Sequence, residues 1–432
     1  MEKLWENTVD LPKFDKFKGN SKTDVLIIGG GMAGILTAYL LDKCGVDYIL
    51  VESDRICSGT TSKTTAKITA QHGLIYDKLI NKFGIVTAKK YLDANLKAFK
   101  MYRQICENID CDFEIKDSYI YTRTDPAAIK REATALKRLG ADAEYVTGKI
   151  LPIKTKAAVC LKHQAQFNPL KFVAEISKGL HIFEQSPVRE LKGNLAILPN
   201  GSITAQMIVV ATHFPFINKH GSYFIKLYQQ RSYVIAYENI PEIHGMYLDS
   251  AENGFSLRRY GDLTLIGGGG HRTGKKGGGY EKIEKFVNSV WKNATPKYHF
   301  ATQDCMSLDK IPYIGRYSKR TNNMLVATGF NKWGMTSSMV AAKILCDKIT
   351  GVKNPYESIF KPSRSIWHRQ LLTNLTETVN NLLTFNKKRC PHLGCALEWN
   401  STEHTWDCPC HGSRFTENGK LIEGPATGDL NS

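Results

Sequence analysis

Residues 24–34 read DVLIIGGGMAG and place a glycine motif directly after a short apolar run. The run is rich in β-branched residues, as is typical of a strand buried inside a parallel sheet. Gly29, Gly31 and Gly34 then give the pattern G-x-G-x-x-G, and residues 35–43 have the apolar spacing of a helix. This stretch therefore predicts a strand, a tight turn and a helix whose N-terminus can bind a pyrophosphate.

A second strand and an acidic residue follow in the order that a dinucleotide-binding unit requires. Residues 47–51 read DYILV, and Glu52 stands at their end, where a carboxylate can accept hydrogen bonds from ribose hydroxyls. A glycine motif alone is weak evidence, but strand, helix, second strand and acid together predict a dinucleotide site. No second complete motif follows a strand, because residues 267–270 continue with His271-Arg272. One nucleotide site therefore has to serve the reaction.

Near the C-terminus, cysteines and histidines alternate in two short segments. Residues 390–395 read CPHLGC and residues 408–413 read CPCHGS. Two Cys and two His in such loops can hold a structural zinc. Two thiolates on one iron and two imidazoles on the other are also the ligand set of a Rieske [2Fe-2S] centre. The ligands in either case are Cys390, His392, Cys408 and His411.

The fuller motif resembles the Rieske family, with structural zinc as the alternative. The resemblance rests on the extra cysteines Cys395 and Cys410, on Gly412 and Ser413, and on GPA at residues 424–426. It implies a [2Fe-2S] cluster and a disulfide between the two extra cysteines that pins the two loops together. The implied function is electron transfer.

Other segments resemble the D-amino-acid oxidase-like FAD-dependent oxidoreductases. A loop of small polar residues spans 54–67, and residues 207–212 and 324–329 read as strands, the latter leading into FNKWGMT at 330–336. In that family a late strand, glycine loop and helix return to cover the flavin. The resemblance spans about residues 20–355. Its nearest form is the bacterial group that carries a C-terminal Rieske domain.

The flavoprotein resemblance implies FAD as the nucleotide and assigns its contacts. They come from the glycine motif, the acid after the second strand, the polar loop and the late loop: Gly29, Gly31, Gly34, Glu52, Ser62, Thr64, Thr65, Gly329, Gly334 and Met335.

The middle of the chain is expected to supply a substrate domain. Residues 229–237, 255–260 and 263–266 alternate like strands of an antiparallel sheet, which in this family roofs the isoalloxazine ring. An arginine there could clamp a substrate carboxylate, although a solvated strand face is the alternative for each candidate. The candidates are Tyr233, Arg258, Arg259, Tyr260 and His271. The sequence does not identify an acid/base pair.

We therefore predict an α/β fold with a Rossmann-like FAD-binding domain, an α+β substrate domain built on an antiparallel sheet, and a small C-terminal β lobe of Rieske type. The predicted boundaries are 1–75, 200–228 and 300–355 for the FAD-binding domain, 76–199 and 229–299 for the substrate domain, 356–388 for a linker helix, and 389–432 for the lobe.

The linker has apolar residues at helical spacing. We interpret it as an amphipathic helix that packs on the flavin domain, not as a membrane anchor, because polar and charged residues interrupt it throughout. The apolar positions are Leu371, Leu372, Leu375, Val379, Leu382 and Leu383.

The lobe departs from the family pattern because it is short. A Rieske domain normally begins with several strands that form a base sheet under the cluster, but only four residues separate Phe385 from Cys390. Fewer than fifty residues remain, too few for an independent core. Either the flavoprotein holds the lobe, or a partner subunit completes it, or the lobe is degenerate. We favour a working cluster.

Two residues of the lobe bear on its reduction potential. By resemblance, Ser413 donates a hydrogen bond to a cluster sulfur and raises the potential. Phe415 stands where high-potential members carry Tyr, so one hydrogen bond is lost. We expect a potential between those of high-potential Rieske proteins and dioxygenase-type ferredoxins. The two histidine ligands are expected to be exposed and to form the entry or exit point for electrons.

Composition and charge exclude several other classes. The net charge of +17 comes from Lys and Arg scattered along the whole chain, so nucleic-acid binding is not indicated. The first twenty residues lack the apolar core of a secretory signal. Residues 25–41 are uncharged but short for a membrane helix and are better explained as strand, turn and helix. Dispersed single cysteines favour a reducing compartment, and we expect a cytoplasmic protein without a transmembrane segment.

The combined prediction is a FAD-dependent oxidoreductase. It oxidises a small amine or amino-acid-like substrate and passes electrons singly through the cluster to an acceptor, such as a redox partner protein or carrier. The alternatives are an electron-transfer module with no small substrate of its own, and a protein with a structural zinc in place of the cluster.

Overall fold

The computed structural model describes residues 4–217, 220–252, 254–384 and 387–430. The other residues of the predicted FAD-binding domain, substrate domain, linker helix and lobe lie outside this part of the chain. The described ranges form three sheets, ten helices and a 3-10 turn at Thr60–Lys63.

The strands of these ranges are β1 (Gly19–Ile28), β2 (Tyr48–Val51), β3 (Lys67–Ile68), β4 (Glu114–Thr122), β5 (Ala143–Val146), β6 (Ala157–Gln166), β7 (Ile182–Phe183), β8 (Glu190–Lys192), β9 (Leu195–Leu198), β10 (Gly201–Val210), β11 (Leu227–Glu238), β12 (Met246–Asp249), β13 (Ser256–Tyr260), β14 (Leu263–Arg272), β15 (Thr295–Ser307), β16 (Tyr313–Arg316), β17 (Met324–Thr328), β18 (Glu398–Asn400), β19 (Thr405–Asp407), β20 (Arg414–Thr416) and β21 (Leu421–Glu423). The helices are α1 (Met32–Lys43), α2 (Tyr76–Phe83), α3 (Ile85–Cys106), α4 (Pro126–Arg138), α5 (Pro169–Ile176), α6 (Tyr223–Lys226), α7 (Glu281–Val290), α8 (Gly334–Ile349), α9 (Glu357–Phe360) and α10 (Arg369–Leu383).

The first sheet has the order β16-β17-β10-β1-β2-β7, with β9 beside β10 and β8 beside β9. The pairs from β17 to β7 are parallel. The apolar run of β1 is almost fully buried, as expected for a strand covered on both faces. α1 and α8 pack against each other beside this sheet. The predicted strand, glycine turn, helix and second strand are confirmed.

Strand pairing differs from two of the predicted domain boundaries. Strands β7, β8 and β9 fall in the segment 76–199 assigned to the substrate domain, but β7 pairs with β2 and β9 pairs with β10. Backbone pairing thus places residues 182–198 with the nucleotide-binding sheet. Strand β15, which crosses the predicted boundary at residue 300, pairs in the second sheet.

The second sheet has the order β15-β11-β14-β13-β12-β4-β6-β3, with β5 beside β6. The predicted antiparallel strands correspond to β11, β13 and β14, and their antiparallel pairing is confirmed. One pair, β12 with β4, is parallel. We call this sheet the roof sheet, and its residues line one cavity together with residues of the nucleotide-binding sheet.

The third sheet belongs to the C-terminal lobe and is antiparallel in the order β18-β19-β20-β21. Its strands lie between and after the two ligand loops, so the lobe has a base sheet although α10 occupies the stretch before the first loop. The core of the lobe contains Leu397, Phe415 and Ala426 beside the four cysteines.

A network of buried charges fastens the lobe to the roof sheet. Arg231 of β11 is 1% exposed and contacts both carboxylate oxygens of Glu403, with its Nη1 3.4 Å from Glu423 Oε2. Arg414 contacts the same two carboxylates and Asp407. Burial alone raises the pKa of Glu423, but the guanidinium groups of Arg414 and Arg231 lower it to about 2. These contacts agree with the first of the three possibilities expected for the short lobe, that the flavoprotein holds it.

Helix α10 forms and packs on the body of the protein as predicted, but the side that packs is not its apolar side. Leu371 is 7% exposed, whereas the other five apolar positions of the stripe are 41% to 66% exposed. The buried side is polar: Asn374 bonds to Ile225 and Arg272, and Glu377 pairs with Lys275 at 2.6 Å. Hydrogen bonds and an ion pair thus hold this helix to the body of the protein, and its apolar stripe faces outward.

Across the described ranges, the helices lack the combination of length and apolar character that crossing a bilayer requires.

Candidate functional site

A large cavity lies between the nucleotide-binding sheet, the roof sheet and the lobe. Its volume is about 1730 Å³. Gly29 and Gly31 line it from the first sheet, Tyr233 from the roof, and residues 424–427 from the lobe. The cavity therefore joins the predicted dinucleotide site to the lobe that carries the cluster motif.

The glycine motif shapes one end of this cavity. Gly29 has a φ of +110°, and a Cβ there would lie 2.6 Å from the carbonyl oxygen of Ala211. A Cβ on Gly34 would lie 1.8 Å from the carbonyl oxygen of Gly29, so this glycine allows α1 to pack directly on the end of β1. At Gly31 the nearest atom to such a Cβ is Thr61 Oγ1 at 3.7 Å, so this position opens into the cavity.

Helix α1 begins beside this turn, and its N-cap residue Gly31 has no side chain to cap it. Thr61 Oγ1 accepts from Met32 N at 3.2 Å, and the remaining backbone N–H groups of the first turn and the helix dipole can bind an anion. Glu52 lies at the end of β2, accepts a hydrogen bond from Gly30 N at 2.6 Å and lines the cavity. A cradle without side chains, a helix N-terminus and an acid at the neighbouring strand end fit the pyrophosphate and ribose of FAD.

Most of the predicted FAD contacts line the cavity: Gly29, Gly31, Glu52, Thr64, Thr65, Gly329, Gly334 and Met335. Two do not. Gly34 lies behind the turn, where its role is close packing. The hydroxyl of Ser62 donates to the carbonyl oxygens of Ser58 and Gly59, so this side chain satisfies its own turn.

Tyr233 is the member of the five substrate-site candidates that lines the cavity. Its hydroxyl lies 3.0 Å from His271 Nε2, while His271 Nδ1 lies 3.0 Å from the carbonyl oxygen of Arg272. Because a carbonyl only accepts, Nδ1 carries the proton and the tyrosine hydroxyl donates to Nε2. Burial raises the pKa of Tyr233 to about 12, so it remains a neutral donor.

The other three candidates lie away from the cavity wall. Arg258 is fully buried beside the rings of Trp5 and Tyr260 and donates to the carbonyl oxygen of Ala66. Arg259 bonds to Ile240 and Gly261. The hydroxyl of Tyr260 donates to Asp112 at 2.7 Å. Strand β13 was predicted correctly, but its sequence pattern does not distinguish the side of the roof that faces the cavity.

A polar cluster in the cavity wall was missed by sequence reasoning. Lys332 Nζ donates to Ser232 Oγ at 3.0 Å, and Ser232 Oγ lies 3.3 Å from Asp304 Oδ2. All three line the cavity, and burial raises the pKa of Asp304. Lys332 lies two residues before Gly334, in the loop expected to cover the flavin. Its position in that loop is the signal that could have identified it.

The two ligand loops are closed by matching backbone hydrogen bonds. Gly394 N donates to Cys390 O and Gly412 N donates to Cys408 O, each at 2.9 Å. Cys408 N donates to Ser413 O at 2.8 Å. Each loop thereby presents one Cys and one His toward the other.

The four predicted cluster ligands converge. The rings of His392 and His411 lie 4.9 Å apart at 82°. The thiol of Cys390 donates to Cys408, and this bond, followed by those from Cys395 and Cys410, holds the pKa of Cys408 well below its usual range. A lowered pKa favours the thiolate, which is the form of cysteine that binds metals.

The histidines also fit a metal. Burial, and then the nearby His411, lower the pKa of His392 to about 4, which keeps it in the neutral form that ligates. Both ring nitrogens of His411 are buried and have no hydrogen-bond partner among the described residues. A buried imidazole of this kind fits a metal ligand.

The expectation that both histidine ligands are exposed is wrong. His411 is 0% exposed, and its ring packs on Phe214 at 6.2 Å and on Phe224 at 6.3 Å between centroids. The reason is the docking of the second ligand loop on the flavoprotein. Gly412, with a φ of +83°, allows it, because a Cβ there would lie 2.2 Å from Gln229 Cγ. His392 is half-buried.

Cys395 and Cys410 are free thiols, and their Sγ atoms and that of Cys408 lie within 4.8 Å of one another. The predicted disulfide is not formed in the structure and stays a prediction.

Ser413 is positioned as expected for a hydrogen-bond donor. Its Oγ accepts from Ala426 N at 3.0 Å, which leaves its proton for Cys390. We expect Ser413→Ala to lower the cluster midpoint potential by about 60–130 mV, since a hydrogen bond to a charged group contributes about 1.5–3 kcal/mol and a one-electron couple changes by 59 mV per tenfold. Redox titration followed by EPR measures the potential. Ser401→Ala, at an exposed position of the same lobe, is the control, and an unchanged midpoint in Ser413→Ala would refute the hydrogen-bond account.

Family comparison agrees with the two parts of the site. The family described as FAD dependent oxidoreductase, of the DAO type, matches residues 24–348, and the Rieske [2Fe-2S] domain family matches residues 369–432. The DAO-type domain binds FAD and the Rieske domain binds a [2Fe-2S] cluster.

Individual proteins show the same two parts. The chain is 36% identical to the protein YhfW of Bacillus subtilis, named as a Rieske 2Fe-2S iron-sulfur protein, over 98% of this chain and 96% of that protein. Over 10% of this chain and 24% of the relative, it is 54% identical to the cytochrome b6-f complex iron-sulfur subunit of a Synechococcus species.

Two solved structures share the fold of the larger part. L-proline dehydrogenase from P. horikoshii superposes with a TM-score of 0.68 at 19% identity, covering 80% of this chain and 98% of that one. Glycine oxidase from Geobacillus kaustophilus superposes with a TM-score of 0.67 at 17% identity, covering 80% of this chain and 99% of that one. The chain belongs to the DAO-type family of FAD-dependent oxidoreductases and carries a C-terminal Rieske [2Fe-2S] domain.

Proposed function

We propose that this protein oxidises a small amine or amino-acid-like substrate and passes the electrons one at a time through its Rieske domain to a redox partner protein or carrier. When bound, FAD accepts two electrons from an organic substrate, whereas a [2Fe-2S] cluster carries one. The protein would thus convert a two-electron oxidation into single-electron transfers. We also propose a cytoplasmic location, which the dispersed free cysteines support.

The position of Phe214 carries the proposal. This side chain lines the cavity, and its ring contacts both predicted histidine ligands, at 6.4 Å from His392 and 6.2 Å from His411 between centroids. A single side chain therefore separates the cavity wall from the imidazoles of the cluster site. Such an arrangement supports transfer of electrons within one chain.

Two glutamines of the roof sheet hold the second ligand loop at this distance. Gln303 Nε2 donates to the carbonyl oxygen of Gly412 at 2.8 Å, and its Oε1 accepts from Thr273 at 2.9 Å. Gln229 packs against the same glycine and lies 3.3 Å from His213 Nε2. The roof strands thus fix the cluster site relative to the cavity.

The substrate class is supported by Lys332. Lys332 lies in the cavity wall beside Ser232 and Asp304, where burial lowers the pKa of its ammonium group and the charge of Asp304 raises it. A cation there can bind a substrate carboxylate, while Asp304, if neutral, can share a proton with the substrate amine. The similar folds of a proline dehydrogenase and a glycine oxidase agree with a substrate that carries both groups.

We expect anaerobic bleaching of the flavin by one or more small amino acids, followed by appearance of the reduced-cluster EPR signal. L-proline and glycine are the first substrates to test, each beside its decarboxylated analogue, pyrrolidine or methylamine. In Lys332→Met, KM for the reactive amino acid should rise by about 10–100-fold, because a charge-assisted hydrogen bond contributes about 1.5–3 kcal/mol. The decarboxylated amine serves as the matched control, since its KM should not change.

Different outcomes separate the alternatives. An equal rise of KM for amino acid and amine would exclude carboxylate binding by Lys332. Flavin reduction by a reduced carrier protein, with no response to any amine or amino acid, would identify an electron-transfer module without a small substrate of its own.

A further inference from the structure

The outward face of α10 is apolar and continuous. Leu372, Val379 and Leu383 are 66%, 51% and 64% exposed, and Leu375 and Leu382 lie between them at 41% and 44%. Large exposed apolar patches on soluble domains usually mark an interaction site. We call these five residues the α10 stripe.

The stripe continues at both ends of the helix. Trp367, two residues before the helix, is 85% exposed. Past the other end, Leu382 approaches Gly394 of the first ligand loop, and Leu393 in that loop is 38% exposed. The apolar surface therefore runs from Trp367 to the loop that carries His392.

Charged residues lie at the two ends of the stripe and not among its five members. Its helix has two charged residues, Arg369 at the start and Glu377, and the latter is turned inward to pair with Lys275. Past the helix end lies the basic run at residues 387–389, in which Lys387 pairs with Glu398 and Arg389 donates to carbonyl oxygens at the helix end, so this end keeps a net positive charge. The stripe itself is thus free of charge and has cations at both ends, on a chain of net charge +17.

We propose that the α10 stripe binds the surface of a lipid bilayer that contains anionic headgroups. A helix of fifteen residues is about 22 Å long, and an apolar line with Trp at one end and cations at both is the arrangement of helices that lie in the membrane interface. Its cations attract anionic headgroups while the Leu and Val side chains enter the acyl boundary.

A second copy of the chain fits this surface less well. Paired in either the parallel or the antiparallel sense, two α10 helices would bring the cationic end of one against a cationic end of the other. Like charges facing each other disfavour such a dimer. An anionic lipid surface complements both ends at once.

The test uses the full-length holoprotein and flotation with vesicles of phosphatidylcholine, alone or mixed with phosphatidylglycerol. We expect binding that increases with the anionic lipid. In the double variant Leu372→Ser/Val379→Ser, affinity for the mixed vesicles should fall by about a hundredfold, roughly tenfold for each side chain removed from the interface. The matched control is Val86→Ser/Val352→Ser, at sites that are 67% and 56% exposed elsewhere on the surface, and its affinity should be unchanged.

A fluorescence measurement provides a second readout. Brominated lipids should quench the emission of the wild type but not that of Trp367→Phe, measured as the difference between the two proteins. Flavin absorbance and the cluster EPR signal verify that each variant is folded. Failure of the wild type to float, equal loss in the control variant, or a change of oligomeric state caused by the stripe variant would each overturn the proposal.

Discussion

Cys408→Ser is expected to remove the [2Fe-2S] cluster and leave FAD in place. Cys408 is 0% exposed, and hydrogen bonds from three neighbouring thiols lower its pKa, which favours the thiolate. A serine hydroxyl stays protonated and is a hard ligand, so it does not replace a soft thiolate on iron. The glycine cradle and the late loop that line the cavity do not contain this residue, so the FAD site should be unaffected.

Chemical analysis, spectroscopy and activity assays check this expectation. Iron and acid-labile sulfide should fall to background, and the EPR signal after dithionite reduction should disappear. Flavin absorbance should be retained. Substrate should still bleach the flavin, while reduction of a one-electron acceptor stops. The control is Cys160→Ser, a cysteine that is 2% exposed in β6, distant from the ligand loops in the sheet order. Retained iron, or an unchanged rate with the one-electron acceptor, would contradict the assigned ligand set.

Gly34→Ala and Gly31→Ala are expected to separate folding from FAD binding. The added Cβ at Gly34 would overlap the carbonyl oxygen of Gly29 at 1.8 Å, and this contact is with backbone, which cannot move aside as a flexible side chain can. We expect a loss of at least about 3 kcal/mol in the free energy of unfolding. At Gly31 the methyl group meets an ordinary contact at 3.7 Å from Thr61 and projects into the cavity, so stability should change little.

The second effect of Gly31→Ala is on the cofactor. The methyl group would occupy the place where a pyrophosphate approaches the backbone, so FAD should dissociate at least about tenfold more readily. Denaturant unfolding of the apoprotein measures the free energy of unfolding. Recovery of flavin fluorescence on dilution measures the dissociation of FAD. If Gly34→Ala and Gly31→Ala changed the free energy of unfolding and the dissociation of FAD by the same amounts, the two glycines would not have separate roles.

The features that the sequence predicted well have local signatures. The turn at Gly29 requires residues without a Cβ, the roof strands alternate with a period of two, and the cluster ligands stand at fixed spacing within two short loops. In each case the physical requirement acts over a few neighbouring residues. The pattern can therefore be read without knowledge of the rest of the fold.

The features that it did not predict depend on distant partners. Arg231 bonds to Glu403, 172 residues away, and nothing near Arg231 in the sequence indicates that its strand anchors the lobe. The burial of His411 follows from the same docking. The apolar spacing of α10 identified a helix, but hydrogen bonds from Asn374 to Ile225, 149 residues away, decide which side faces inward.

The charge network between Arg231, Glu403, Glu423 and Arg414 has a kinetic consequence. A lobe held by buried ion pairs and by Gln303 keeps one position relative to the cavity. Electron transfer between the two cofactors then does not require movement of the lobe. Its rate is expected to follow distance and driving force alone, and to be insensitive to solvent viscosity or to the length of the connecting segment.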